Sequence, residues 1–174
     1  MKLAARLISL YFIIFILPSS VLGGNCSDEE LNNLGLVEGE DLDKDTLFKS
    51  SHGMGKIGRR YGIKPGTKTE KFLKDLEKLF TKLGITGVGE KCLQCLAPSI
   101  KCVSHQCRGA CLKGPCTDGC QKCINRNCKQ ALLECIGKTD IPNPCKWKDD
   151  YLKFKLPETG EDESQKKGEA SGTS

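Results

Sequence analysis

Ten of the twelve cysteines fall in the 44 residues between Cys92 and Cys135, among few side chains able to build a core. A segment that cannot bury much apolar surface needs covalent help to fold, and disulfides supply it outside the cell. The N-terminus agrees. Lys2 and Arg6 precede an apolar run over 7–17, Pro18-Ser19-Ser20 breaks it, and Val21-Leu22-Gly23 follows. This is the layout of a secretory signal peptide, with cleavage expected near Gly23 or Gly24. The run is shorter than the roughly 20 residues of a spanning helix, so the mature chain is expected to have no transmembrane segment and to be secreted. In an oxidising compartment all twelve cysteines (Cys26, Cys92, Cys95, Cys102, Cys107, Cys111, Cys116, Cys120, Cys123, Cys128, Cys135 and Cys145) are expected to pair. Twelve cysteines permit on the order of 10^4 pairings, and spacing alone does not choose among them.

Charge divides the mature chain. Eight acids against two bases give −6 over 25–50, and nine bases against four acids give +5 over 51–90. Residues 91–138 carry +6, and 156–174 carry −3. A basic centre between acidic ends is either a solvated surface partly neutralised by its own termini or a site for an anionic partner such as a glycan or a lipid surface. Secretion and the lack of a reading-head motif argue against nucleic acid.

The expected organisation follows from these shifts. After the signal peptide over 1–23, an acidic and then glycine-rich flexible arm is expected over 24–66, with few apolar residues in its acidic part. An amphipathic helix is expected over 67–84: Thr67 and Glu70 have capping-box spacing, Phe72, Leu73, Leu76, Leu79, Phe80 and Leu83 recur at helical period, and Gly84 is a stop. Its leucines would pack on the cysteine module; alternatively, its lysine-flanked apolar face would lie on a membrane surface. The disulfide-rich module is expected over 85–155 and a disordered acidic tail over 156–174.

Within the module, residues 91–97 read as a helix ending at Pro98, and 129–136 as one closed by Gly137. Cys128 and Cys135, seven apart, point the same way on a helix. Between these runs, C-x4-C-x3-C occurs twice in phase at a nine-residue period, from Cys102 to Cys120, among the turn signals Gly109, Gly114-Pro115 and Asp118-Gly119. The fold class is therefore small, disulfide-rich and mainly α, with short helices flanking a turn-rich stapled centre. Farther on, Trp147, Tyr151 and Phe154 are interleaved with lysines, a mixture that either packs back on the module or sits at a lipid or glycan interface.

Reactive chemistry finds little support. The two C-x2-C pairs, Cys92/Cys95 and Cys120/Cys123, have the ligand types of a zinc site, but eight further thiols would then have to stay reduced outside the cell. The acidic run over 38–45 lacks the ligand order of a calcium loop. His105 has no adjacent aspartate, and Ser99 and Ser104 lack nucleophile-elbow glycines, so no catalytic residue, metal or cofactor is assigned. Asn25-Cys26-Ser27 fits the N-glycosylation sequon, making a glycoprotein modified at Asn25 an expectation. The dibasic pair Arg59-Arg60 in a glycine-rich stretch invites either proteolytic processing or, more plainly, an uncut linker. Leu156-Pro157-Glu158-Thr159-Gly160 matches a sortase motif without the hydrophobic segment such a signal needs.

The run Cys120-Gln121-Lys122-Cys123-Ile124-Asn125-Arg126-Asn127-Cys128, followed by Ala131-Leu132-Leu133-Glu134-Cys135-Ile136, resembles small cysteine-rich secreted antigens of parasitic flatworms, of the blood-fluke egg and miracidial type. The resemblance implies a secreted, host-exposed antigen and assigns no ligand or catalytic residue. Together these readings lead to a non-enzymatic binding protein whose basic residues Lys101, Arg108, Lys113, Lys122 and Arg126 meet an anionic partner. The alternatives are a protease inhibitor presenting Lys113 before Gly114-Pro115, and a thiolate zinc protein.

Overall fold

A computed structural model describes residues 24–40, 42–61 and 68–157. The expected signal peptide and most of the expected tail lie outside them. The described residues form seven α-helices and one 3-10 helix, without a strand. The protein is small, disulfide-rich and mainly α, with all twelve cysteines paired in six bridges.

The short helix α1 (Asp28–Asn33) starts at a capping box. Glu30 N–H donates to Ser27 Oγ at 3.2 Å, and Ser27 N–H donates to Glu30 Oε2 at 2.6 Å. The other oxygen, Oε1, accepts the N–H of Gly89 at 2.7 Å. Gly89 is the N-cap of a later helix, so one carboxylate joins two helix starts. Backbone donation from Ser27 and then Gly89 holds the Glu30 carboxyl below the ordinary glutamate range.

Helix α2 (Lys44–Tyr61) occupies much of the expected flexible arm and corrects that reading. Asp43 starts it, accepting from Asp45 N–H at 2.9 Å and from Thr46 Oγ at 2.6 Å. Leu47, Phe48, Ile57 and Tyr61 are buried along it. Its glycines serve close packing. A Cβ at Gly58 would stand 2.7 Å from Ser104 Oγ and 3.2 Å from Ile100 Cγ2; at Gly53 it would stand 3.0 Å from Leu83 Cδ1. Arg59 and Arg60 therefore belong to a helix's last turn rather than to a linker.

Helix α3 (Thr69–Lys82) buries Phe72, Leu73, Leu76, Leu79 and Phe80 against α2 and α4 (Glu90–Gln106). That burial leaves no apolar face for the membrane-lying alternative. Its N-cap is Lys68, without a side-chain cap bond, in place of the expected box; Thr67 lies outside the described residues. Gly84 at φ +77° ends it, and Ile85 N–H reaches back to Phe80 O at 2.9 Å.

Helix α4 is the centre of the molecule, contacted by α2, α3, α5 (Asp118–Asn127) and α6 (Lys129–Ile136). It runs through Pro98, where the sequence reading ends it. Proline removes one backbone bond, at a cost of about 3 kcal/mol in a helix interior. Here Leu96, Ala97 and Ile100 are buried around it, and bridges at Cys95 and Cys102 hold both sides to the returning chain. After α6 the chain forms the 3-10 helix Pro144–Trp147 and α7 (Lys148–Lys153). Tyr151 and Phe154 pack on Phe48 of α2 at ring distances of 5.3 and 5.7 Å, and the His52 ring lies tilted against Tyr151 at 4.4 Å. The C-terminal aromatics thus pack inward, against α2.

Candidate functional site

Four of the six disulfides form a ladder. Helix α4 and its continuation run out, α5 and α6 run back, and Cys95–Cys135, Cys102–Cys128, Cys107–Cys123 and Cys111–Cys120 join them in antiparallel order. Intervals of 7, 5 and 4 residues on the outward strand meet intervals of 7, 5 and 3 on the return. The two remaining bridges anchor the hairpin at its ends. Cys26–Cys92 ties the N-terminal segment to the start of α4, and Cys116–Cys145 ties the tip to the 3-10 helix.

This register corrects the repeat reading. Cys116 leaves the hairpin for Cys145, so the nine-residue period is not a structural repeat. The informative pattern is a mirror: the intervals shorten toward the tip and lengthen again, as antiparallel partners require. The same pairing disposes of the zinc alternative. Cys92 and Cys95 bond to Cys26 and Cys135, and Cys120 and Cys123 bond to Cys111 and Cys107, leaving no thiolate for a metal.

The hairpin has two unlike halves. Near its base, Leu93, Leu96, Ile100, Leu132, Leu133 and Ile136 join the main core. Between residues 103 and 127 the only buried residues are Cys107 and Cys120. The distal half has a covalent interior in place of an apolar one.

Four of the five expected binding residues lie on that distal half. Arg108, Lys113, Lys122 and Arg126 are all exposed. Lys122 and Arg126, four apart on α5, share a helix face. The bridge beside Arg108 and Lys122 holds the Cα atoms of Cys107 and Cys123 5.7 Å apart, bringing the backbones carrying these two cations close together. Lys101 is set apart. It is half-buried, its Nζ 3.5 Å from Thr69 Oγ and 5.2 Å from the centre of the Phe72 ring, so it braces α3.

Acids of the N-terminal segment pair with bases other than the four exposed cations of the distal half. Asp28 pairs with Lys138 at 2.6 Å and Glu38 with Lys146 at 3.3 Å, and Lys129 pairs with Asp140. Among the described residues none of Arg108, Lys113, Lys122 and Arg126 makes an ion pair. Seven bases face one acid, Asp118, over residues 91–133. None of Asp28, Glu38 and Asp140 pairs with the four exposed cations of the distal half.

The tip itself is a tight turn. Gly114 N–H donates to Cys111 O at 3.0 Å around Leu112 and Lys113, and Gly114 sits at φ +121°. A substrate-like inhibitor presents an extended segment to a protease, and Lys113 lies in a closed turn. The glycosylation sequon is likewise built into the fold. Asn25 is exposed, with its N–H on Cys135 O at 2.8 Å, Cys26 is buried in its bridge, and Ser27 Oγ caps α1.

No family model matches the chain, and neither the curated proteins nor the solved structures contain a match to it.

Proposed function

We propose that the protein is a secreted, non-enzymatic binding protein that uses the distal hairpin to engage a polyanion bearing sulfate or phosphate groups. The observation that carries this reading is a cationic tip, Arg108, Lys113, Lys122 and Arg126, fixed on a disulfide ladder and lacking neutralising partners among the described residues. A rigid scaffold loses little freedom on binding, so its contacts are converted into affinity with small entropic cost. Export and a host-exposed, antigenic setting belong to the same proposal, supported by the N-terminal signal pattern and by the resemblance to flatworm secreted antigens. Six disulfides are compatible with it, and among the described residues no helix is long and apolar enough to cross a membrane. Glycosylation at Asn25 also belongs to it. The exposed side chain donates from Nδ2 to Cys135 Sγ at 3.5 Å in the folded protein, and it would receive its glycan before Cys26 and Ser27 are locked into the fold.

The test is binding of the mature protein to immobilised heparin and to vesicles of phosphatidylserine and phosphatidylcholine. Reversing Arg108, Lys122 and Arg126 to Glu is expected to abolish retention that wild type shows in low salt, while Lys138→Glu, at a neutralised position, leaves it nearly intact. Equal binding by the triple variant and wild type contradicts the proposal.

A further inference from the structure

The tip carries more than charge. Leu112 is 78% exposed, the most exposed large hydrophobic residue described, and Ala110 and Pro115 beside it are exposed as well. The turn that carries Leu112 is held in place. Cys111 is held by Cys120 and Cys116 by Cys145, so the four residues between them are pinned at both ends. Inside that span Gly114 N–H closes the turn on Cys111 O, and Thr117 Oγ donates to Gly114 O at 3.1 Å. Gly114 adopts a backbone conformation that other residues rarely take, so the turn has little freedom to rearrange.

Resting on the polyanion reading above, we infer that the ligand is the surface of an anionic membrane, with Leu112 inserted below the headgroups and Arg108 and Lys113 at phosphate level. A sulfated glycan gives the cations a partner but gives Leu112 nothing, whereas a bilayer places acyl chain directly beneath its phosphates. Single exposed leucines are common on protein surfaces. What distinguishes this one is its rigid display between two exposed cations at the end of a stapled hairpin. Insertion of one side chain is shallow, and binding is therefore peripheral, reversible and dependent on anionic lipid.

The experiment uses the mature full chain, vesicles of phosphatidylserine and phosphatidylcholine, pure phosphatidylcholine vesicles, and heparin. Leu112→Ser, which removes the apolar side chain without changing the charge, is expected to weaken binding to the anionic vesicles by about tenfold or more and to leave heparin binding within about twofold. Leu112→Trp is expected to retain vesicle binding and to be quenched by brominated acyl chains, with the same chain lacking the substitution reporting Trp147 as background. Because Leu112 makes no core contact, both variants are expected to keep the wild-type disulfide map. If Leu112→Ser binds anionic vesicles like wild type while reversal of Arg108 and Lys122 to Glu abolishes binding, insertion is overturned and the polyanion reading stands. Wild type that binds heparin but no vesicle overturns insertion in favour of a glycan. Wild type that binds neither overturns both.

Discussion

The two halves of the hairpin reach the same geometry by different physics. Near the base, α4 and α6 meet through buried leucines and isoleucines, and the bridge Cys95–Cys135 adds to an interface that already excludes water. Toward the tip the apolar contribution is almost gone. Val103 and Ile124 are only half-buried there, and three bridges are concentrated where the core ends. In the distal half disulfides stand in place of an apolar core. A segment of that size would otherwise have to turn its side chains inward; stapled, it can leave Arg108, Leu112, Lys113, Lys122 and Arg126 in solvent.

The largest effect should come from the base. Leu96 is fully buried, and Leu96→Ala is expected to cost about 3 kcal/mol of global stability in chemical denaturation. Leu112→Ala, at the tip, should change it by less than about 0.5 kcal/mol. Comparable losses at the two positions would break the contrast. Next in size is the pair Cys107→Ala with Cys123→Ala, which opens a bridge of sequence separation 16 and is expected to cost about 3 kcal/mol or somewhat less. Its location is the sharper readout: hydrogen exchange should quicken between residues 103 and 127 while α3 and the first turns of α4 stay protected. Uniform quickening would mean that the tip is not an independent, covalently held unit.

Smaller effects test the supports of the base. Gly58→Ala places a methyl against Ser104 and Ile100 and is expected to cost about 1–3 kcal/mol, measured as a lower denaturation midpoint. Glu30→Gln should cost about 1 kcal/mol at neutral pH, the value of weakened charge-assisted bonds at a partly exposed site. Its pH dependence has a definite sign. The folded Glu30 carboxyl titrates below its ordinary value of 4.5, so its contribution is present above that value and fades as pH falls through the folded pKa. The stability gap between wild type and variant should narrow in acid; a gap that widens there would show that Glu30 does not act as the carboxylate tie between α1 and α4.

What could be read in advance differs between the same regions. The leucine face of α3 was legible because its period is helical and its stop is a glycine. Helix α2 was not, although Leu47, Phe48, Ile57 and Tyr61 are its buried positions, because Gly53, Gly55 and Gly58 lower helix propensity and imitate a linker. The purpose of Gly53 and Gly58 appears only against α3 and α4, whose approach they permit, and that is tertiary information. Ser27 and Glu30 carried a readable capping box inside an acidic run that drew attention to charge alone. Pro98 signalled a helix end that neighbouring bridges and buried side chains overrode. At the tip the basic residues were visible from composition, but Lys101 could not be separated from the rest without knowing that Phe72 and Thr69 lie beneath it. Pairing was encoded in the mirrored cysteine intervals. A period sought along one direction does not reveal a symmetry that requires the chain to turn back.

The distal hairpin is a register-locked ladder holding a cationic, apolar-tipped surface in place of a core. The most direct test is a disulfide map of the native protein, obtained by stepwise partial reduction, alkylation and mass spectrometry. The account predicts Cys95–Cys135, Cys102–Cys128, Cys107–Cys123 and Cys111–Cys120, with Cys26–Cys92 and Cys116–Cys145 outside the ladder and no alkylation before reduction. Free thiols among these cysteines, or Cys102 or Cys107 joined to any other partner, would contradict it.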